Sequence, residues 1–327
     1  MPPSPSLLLI SADPHDQIFA SEVATVAGLS FKNVENHLEG ARETVNGNYA
    51  IILVDGSVQK TYEIFENSLQ ESVGLFSDKL NSNFIHFLSS EDLANVEYLR
   101  HSPLFGHFVL KNYRSSPAEA GRHYGRVVKT TLAERAFGLD KVLGPSVKIQ
   151  KVKLSSSTQK ADAVEAIRAY AAAAKLQDRI AGMVAAAVDE LLLNAIYDAP
   201  VDALGKSLYS NVPRSTVLEL SGNSEVEISL GFDGNYIAVA VTDHHGSLNK
   251  AKLLAHLSKA YVKEEYKVKV SVAGAGIGLS NVFRSGASFF FVSEAGAKTE
   301  VTVFFKRSES FRGFRDQFRF ISTQFYV

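Results

Sequence analysis

Cysteine is absent from this chain of 327 residues, and its absence limits the kinds of cross-link and metal site that the protein can form. It excludes a disulfide framework and any metal site built on thiolates, and it fits a reducing compartment. A charge bias is missing as well, since the formal net charge is -1 at pH 7. Without an excess of positive charge, no global attraction favours nucleic acid or an anionic membrane as a partner.

Long hydrophobic runs are missing too. The apolar run at residues 7–10 is far too short for the core of a signal peptide or for a membrane span. We therefore expect a cytoplasmic protein with no membrane span. The chain contains 46% hydrophobic and 21% charged residues, which is typical of a soluble globular protein with a large core, and its length predicts two domains.

The first half, residues 1–116, alternates short apolar runs with amphipathic stretches. Runs of this length with helices between them predict a doubly wound parallel sheet of five strands. The runs lie at residues 7–10, 31–34, 51–54, 84–88 and 105–110. Residues 117–147 are expected to connect this domain to the next through a helix over about 118–143, because Gly144 and Pro145 would terminate it there.

The second half, residues 148–307, has a different pattern, in which two alanine-rich helices precede two pairs of strands. Helices gathered on one face of a mixed sheet would form a layered α/β sandwich. The expected helices lie at residues 159–175, 178–197, 249–260 and from 277, and the expected strands at 147–154, 226–232, 236–242, 289–293 and 300–305.

Three separated motifs in this half have a chemical interpretation. Glu190 and Asn194 lie four residues apart on a predicted helix, so their side chains share a face and suit magnesium-phosphate chemistry. Asp243 follows a predicted buried strand, where its carboxylate can accept a hydrogen bond from an adenine amino group. The third motif is a set of glycines that let backbone amides approach phosphate oxygens: Gly274, Gly276 and Gly278. Taken singly, a polar helix face, a turn aspartate and a flexible hinge explain the same residues without a ligand.

The order and spacing of the three motifs resemble the nucleotide-binding boxes of the GHKL ATPase superfamily, which includes histidine kinases and anti-sigma-factor serine kinases. The stretch around Glu190 looks closest to the serine kinases. The resemblance implies that Glu190 is the general base, that Asn194 is the Mg²⁺ ligand and that Asp243 reads adenine. It also implies that Gly246 takes part in ATP binding, that the three glycines border an ATP lid at residues 261–272, and that Thr299 supports Asp243.

Two places depart from the superfamily pattern. The glycines expected two and four residues after the adenine-reading aspartate are replaced by His245 and Ser247, and the bulk of His245 would crowd the adenine pocket. Tyr197 and Asp198 stand where many relatives carry a basic residue that meets phosphate, and an acid there would repel phosphate unless Mg²⁺ intervenes. ATP binding is therefore the expectation, while the sequence leaves catalysis open.

The first half resembles the receiver domain of response regulators. The resemblance implies that Asp55 is the phosphoacceptor, that Ser89 fills the hydroxyl position and that Lys111 pairs with phosphate, each at the end of a predicted strand. The acidic pair with which receivers hold Mg²⁺ is missing, because Ser11 and Ala12 stand in its place. We therefore expect a receiver-like domain that works unphosphorylated, and a phosphorylation-gated switch at Asp55 is the alternative.

Residues 308–327 form a tail that is rich in aromatic and basic side chains. Phe311, Phe314 and Phe318 have helical spacing, with arginines between them. We expect this tail to pack against its own domain or a dimer mate, and a helix that docks on a membrane surface or a partner is the alternative.

The combined prediction is a signalling protein in which a receiver-like domain regulates an ATP-binding domain. Using ATP and Mg²⁺, the protein would phosphorylate a protein partner or sequester that partner in an ATP-dependent manner. The alternative is a non-catalytic interaction scaffold in which both domains are degenerate. The partner is expected to be a protein of a signalling pathway rather than a nucleic acid, and the sequence leaves homodimerisation open.

Overall fold

A computed structural model gives eleven strands and eight α-helices over the residues that it describes, in a mixed α/β arrangement. The chain divides into two compact units. Unit 1 comprises Met1–Ala136 with Phe318–Thr323, and unit 2 comprises Phe137–Gln317 with Gln324–Val327. The structure describes residues 5–73, 82–89, 98–99, 102, 104–202, 204–209, 212–251, 253 and 286–326.

Unit 1 is built on five parallel strands, which confirms the parallel sheet predicted for the first half. The strands lie in the order β2-β1-β3-β4-β5. Its elements are β1 (Ser6–Ile10), α1 (Pro14–Ala27), β2 (Ser30–Val34), α2 (His37–Asn46), β3 (Tyr49–Asp55), α3 (Gln59–Val73), β4 (Ile85–Ser89), β5 (His107–Leu110) and α4 (Pro117–Thr131).

Helices cover the unit 1 sheet in two pairs. Helix α1 packs against α4, and α2 packs against α3. The strand order reverses direction after β2, so right-handed crossovers place α1 on one face of the sheet and the α2–α3 pair on the other. Residues Leu7 to Ile10 of β1 are fully buried, which explains why this strand is a continuous apolar run rather than an alternating one.

The helix expected over residues 118–143 is two helices in the structure, so this prediction was wrong. Helix α4 ends at Thr131, and α5 (Leu139–Leu143) follows in unit 2. Gly138 precedes α5 with φ 110°, a backbone conformation that a continuous helix cannot contain. The chain divides between the two units after Ala136, within residues 117–147, the segment expected to connect the domains.

Unit 2 contains a five-stranded sheet in the order β9-β10-β8-β7-β6. Each described pairing between neighbours in this order is antiparallel, which differs from the mixed sheet expected for this half. Helices α6 and α7 pack together, and α7 also contacts β8 and β10. The further elements are β6 (Gln150–Leu154), α6 (Lys160–Ala173), α7 (Asp178–Leu193), β7 (Val226–Phe232), β8 (Tyr236–Asp243), β9 (Ser288–Glu294), β10 (Lys298–Lys306) and α8 (Phe311–Arg315).

Within the described residues, one helical segment, Asp178–Asp198, is long and apolar enough to cross a membrane by length and composition alone. However, 61% of its apolar window is buried inside the protein. The core helix of a soluble protein passes the same test, so the segment is weak evidence for a membrane span.

The tail is folded into the protein, but it is not the extended helix that its aromatic spacing suggests. Helix α8 ends at Arg315, and β11 (Phe320–Tyr326) follows it. The first part of β11 pairs antiparallel with β5 in unit 1, with Phe320 opposite Val109. The side chains of Phe318 and Phe320 are buried there, so the tail packs on the fold and does not present them to a membrane surface.

Candidate functional site

Asp243 is the last residue of β8, and its buried carboxylate is held in place by hydrogen bonds. Its Oδ1 atom accepts hydrogen bonds from the backbone amides of His245 (2.9 Å) and Gly246 (3.3 Å). Thr299 lies opposite Asp243 in the β8–β10 register, and its hydroxyl donates a further hydrogen bond to this carboxylate. The structure therefore brings together the two residues that the sequence pairs, and their adenine-reading role stays a prediction.

Burial dominates the electrostatics of Asp243. The residue is 7% exposed, and its desolvation raises the pKa of the carboxyl group to about 6, even though the three hydrogen bonds act in the opposite direction. Among the described residues, it forms no ion pair. At neutral pH the ionised group is therefore a strong hydrogen-bond acceptor in an apolar setting, where a donated hydrogen bond is worth most.

Gly246 lies in a position that has no room for a side chain. Its φ of +56° is left-handed, and a Cβ atom built on it would lie 2.0 Å from the carbonyl oxygen of Glu294. The loop after Asp243 can therefore approach the end of β9 only with glycine at this position. The sequence pattern asks for glycines at the two neighbouring positions, and the structure shows the close approach at Gly246 itself.

We expect Gly246→Ala to destabilise unit 2 by about 3 kcal/mol or more, because a left-handed backbone and a clash with backbone atoms act together. Gly296→Ala is a matched control, since Gly296 has φ +69° but a Cβ atom at this position would meet nothing within 4 Å. The control should cost only about 1–2 kcal/mol. Chemical denaturation of both variants measures the difference, and equal losses would contradict the clash at Gly246.

Glu190 and Asn194 lie at the end of α7, where the helix changes its pitch. Asn194 opens a π-helical turn, Asn194–Asp198, in which its carbonyl oxygen accepts a hydrogen bond from the amide of Ala199 at 2.8 Å. Such turns occur often at functional sites because the extra residue redirects the side chains that follow. Helix α7 and the π-helical turn both pack against β8, the strand that Asp243 ends.

The Glu190 carboxyl group lies in a partly buried, charged environment. Its Oε1 atom is buried and has no hydrogen-bond partner among the described residues. Burial raises the pKa of Glu190, nearby Arg214 lowers it, and the neighbouring Asp198 and Asp189 raise it. A raised pKa makes this carboxylate a stronger base than an exposed glutamate.

Asp198 forms an ion pair that the sequence pattern did not predict. Arg214 Nη2 lies 3.3 Å from Asp198 Oδ2. A second ion pair joins Lys160 to Asp189 beside Glu190. Arg214 belongs to the long connection before β7, so no helical periodicity or motif spacing could have linked it to α7.

The third predicted motif, Gly274, Gly276 and Gly278, lies outside the described residues. The helix expected over residues 249–260 falls mostly outside them as well, and that expected from residue 277 is not described before residue 286. Over the described part of the chain, no group of three or more His, Asp or Glu side chains is arranged to hold a metal ion.

In unit 1, the ends of the parallel strands bring Asp55 and Lys111 together as predicted. Lys111 Nζ lies 3.1 Å from Asp55 Oδ2, 2.8 Å from Asp16 Oδ2 and 3.4 Å from Asp13 Oδ2. The third predicted residue, Ser89, is fully buried at the end of β4, and its carbonyl oxygen accepts a hydrogen bond from the Lys111 amide at 2.8 Å. A phosphoacceptor role for Asp55 stays a prediction.

Asp16 is the residue of this site that sequence reasoning missed. It lies in the first turn of α1, where its carboxylate accepts hydrogen bonds from Ser11 Oγ (2.6 Å) and from Tyr113 OH (2.7 Å). Asp13 caps the same helix, so its spacing of three residues from Asp16 was the available signal. Asp13 and Asp16 thus place two carboxylates at the start of α1, both within 3.4 Å of Lys111 Nζ.

A single ammonium group contacts all three carboxylates, and Arg114 also pairs with Asp13 at 3.1 Å. Burial raises the pKa of Asp16 despite its contact with Lys111, because the carboxylate is completely shielded from water. Burial alone would lower the pKa of Lys111, but Asp55 and Asp16 raise it, and the net shift is upward. Lys111 therefore stays charged at neutral pH and lies among the three carboxylates.

Each candidate site is defined by contacts within one unit. In unit 2, Asp243 and Thr299 are joined directly, and α7 and the π-helical turn, which carry Glu190 and Asn194, pack against the same sheet. In unit 1, Lys111 joins three carboxylates. A scan against protein-family models finds no family that matches this chain, and a search of curated proteins finds no relative.

Proposed function

We propose that unit 2 binds ATP with Mg²⁺, and that the protein is a signalling regulator whose receiver-like unit 1 controls this binding. The protein would act as a protein kinase or as an ATP-dependent partner-switching regulator. The observation that carries the proposal is Asp243, a buried carboxylate at a strand end that Thr299 and two backbone amides hold in one orientation.

Asp243 suits the recognition of adenine. A buried carboxylate is costly unless it receives hydrogen bonds, and an exocyclic amino group supplies a donor without adding a charge. The raised pKa of about 6 leaves the group ionised at neutral pH, so the bond is charge-assisted. ATP binding should weaken below about pH 6, because protonation removes the charge of this acceptor.

The residues at the end of α7 fit a magnesium-nucleotide. Mg²⁺ in such sites keeps several waters and is bound through one or two protein ligands, usually carboxylates, together with phosphate oxygens. The amide oxygen of Asn194 would supply the protein ligand here. When bound, Mg²⁺ would neutralise charge on the phosphate groups. Glu190 has a raised pKa and a buried Oε1 atom with no hydrogen-bond partner in the described part of the chain, so it would accept the proton of an attacking hydroxyl group.

Unit 1 supports a regulatory role that needs no phosphorylation. Its parallel strands follow the 2-1-3-4-5 order of doubly wound folds, whose ligand sites lie at the carboxyl ends of the strands. Lys111 already neutralises the carboxylates at that edge. In this proposal, unit 1 receives its signal from a protein partner rather than from a phosphoryl group.

One observation favours a second candidate, a scaffold that no longer binds nucleotide. His245, two residues after Asp243, is half-buried, and its Nε2 atom is buried without a hydrogen-bond partner among the described residues. Burial together with the neighbouring His244 lowers the pKa of His245, so the ring is neutral at physiological pH. An imidazole ring beside the aspartate would then occupy part of the adenine pocket.

Calorimetric titration with a non-hydrolysable ATP analogue, with and without Mg²⁺, tests the proposal. We expect Mg²⁺-dependent binding that weakens about tenfold or more in Asn194→Ala, because the variant loses the amide oxygen that would ligate the cation. Asn46→Ala, a change of the same kind at an exposed position of α2 in unit 1, serves as the control. Absence of binding at millimolar analogue would reject the ATP-binding function and favour the scaffold.

A further inference from the structure

The connection between α7 and β7 is fixed at the end of α7 by a buried tyrosine. Tyr197 OH donates hydrogen bonds to the carbonyl oxygens of Arg214 (3.0 Å) and Thr216 (3.1 Å). Farther along, the amides of Leu218 and Leu220 donate to Ser157 Oγ (2.9 Å) and to the Ser155 carbonyl oxygen (2.8 Å). These bonds set the backbone of Arg214 next to the π-helical turn.

The side chain of Arg214 extends from this anchored backbone toward the acidic end of α7. Its guanidinium group pairs with Asp198, and its charge lowers the pKa of Glu190. It also lies 5.7 Å from the centre of the Tyr197 ring. Arg214 therefore places positive charge beside the face on which Glu190 and Asn194 lie.

We propose that Arg214 contacts the phosphate groups of the bound nucleotide, an inference that rests on the function proposed above. A guanidinium group has five N–H donors in a planar fork that matches phosphate oxygens, and the bond to Asp198 engages one of its nitrogens. Asp198 then acts as a positioning residue. The acid that would repel phosphate at this position instead holds a cation from a different part of the chain.

The side chain of Arg214 can be changed without breaking the hydrogen bonds that anchor the connection between α7 and β7. The bonds from Tyr197 reach the backbone carbonyl oxygens of Arg214 and Thr216, so Arg214→Gln leaves both in place. The ion pair with Asp198 is partly exposed, and pairs of this kind contribute little to folding stability. The variant should therefore fold, and a change in its binding would report on the ligand.

Titration of the full chain with a triphosphate analogue and, separately, with adenosine tests the contact. We expect Arg214→Gln to weaken triphosphate binding about tenfold to a hundredfold and to leave adenosine affinity unchanged. Arg168→Gln is the matched control, because Arg168 is an exposed arginine of α6 paired with Glu165, and it should bind both ligands like the wild type. Arg214→Lys should recover part of the triphosphate affinity.

The outcomes separate the two proposals. If the wild type binds neither ligand, the proposed function fails and the contact of Arg214 fails with it. If the wild type binds the triphosphate analogue and Arg214→Gln binds it equally well, only the contact of Arg214 is rejected. Equal losses of both ligands in Arg214→Gln, or no recovery in Arg214→Lys, would also reject a phosphate contact.

Discussion

Asp243→Asn is expected to make the nucleotide-free protein more stable and to weaken ATP binding at the same time. Burial raises the pKa of Asp243 from 3.8 to about 6 in the folded protein. Between these values the folded state keeps a proton that the unfolded state releases, so stability falls as the pH rises through this window and stays low above it. At 1.36 kcal/mol per pKa unit, the ionised carboxylate costs about 3 kcal/mol at neutral pH.

Asparagine removes this cost but keeps an oxygen for the two backbone amides. We expect a gain of about 1–3 kcal/mol in the free energy of unfolding at about pH 7.5, and a much smaller gain at about pH 4. ATP affinity should fall by about 1.5–3 kcal/mol, the contribution of a charge-assisted hydrogen bond. Chemical denaturation at both pH values and calorimetric titration measure the two effects.

Asp233→Asn provides the control for this variant. Asp233 Oδ1 also accepts two backbone amides, those of Asn235 (2.9 Å) and Tyr236 (2.7 Å), but in a half-exposed hairpin turn. This change should neither stabilise the protein nor affect nucleotide binding. A destabilised Asp243→Asn variant at about pH 7.5 would show that the charge itself supports the fold, contrary to the argument from burial.

Lys111→Met is expected to cause the largest loss of stability in unit 1. Methionine keeps an unbranched chain of similar length but removes the ammonium group that Asp16 and Asp55 share. Asp13 loses the same contact but keeps its ion pair with Arg114. Breaking a buried pair by removing one partner costs about 3–5 kcal/mol, because the remaining charge stays buried. The loss should shrink as the pH falls, because protonation of the carboxylates relieves their repulsion.

Hydrogen exchange of the β1 and β3 amides measures this effect within unit 1, since a chain of two units need not unfold in one step. Lys32→Met is the matched control, because Lys32 pairs with Glu43 at 2.8 Å and its side chain is 48% exposed. The control should lose no more than about 1 kcal/mol. Adding Asp16→Asn to Lys111→Met should restore part of the loss, and similar losses in both lysine variants would contradict a special role for Lys111.

The sequence was sufficient where structure follows from local composition. Runs such as residues 7–10 and 51–54 are apolar at every position because β1 and β3 are buried on both faces. Strands of this kind can be predicted without knowledge of the fold. Asp55 and Lys111 were likewise predictable, because parallel strands end at one edge of their sheet.

The residues that sequence reasoning missed depend on tertiary contacts. Asp16 joins the unit 1 site only because α1 turns its first polar residues toward the strand ends, and Arg214 reaches α7 only because Tyr197 fixes its backbone. The tail packs on the fold as expected, but its secondary structure also depends on tertiary contacts. Phe311 and Phe314 lie on a real but short helix, whereas pairing with β5, which is remote in the chain, makes a strand of the residues after Phe318.

The return of β11 to unit 1 bears on how the protein folds during translation. Domains usually fold in the order in which they leave the ribosome, but unit 1 includes residues 318–323 and cannot complete its sheet until these have been synthesised. Throughout the synthesis of unit 2, the edge of β5 that β11 will cover stays unpaired and open to strand addition by other chains. The nascent chain therefore passes through a long aggregation-prone interval in which chaperone binding at β5 would be most effective.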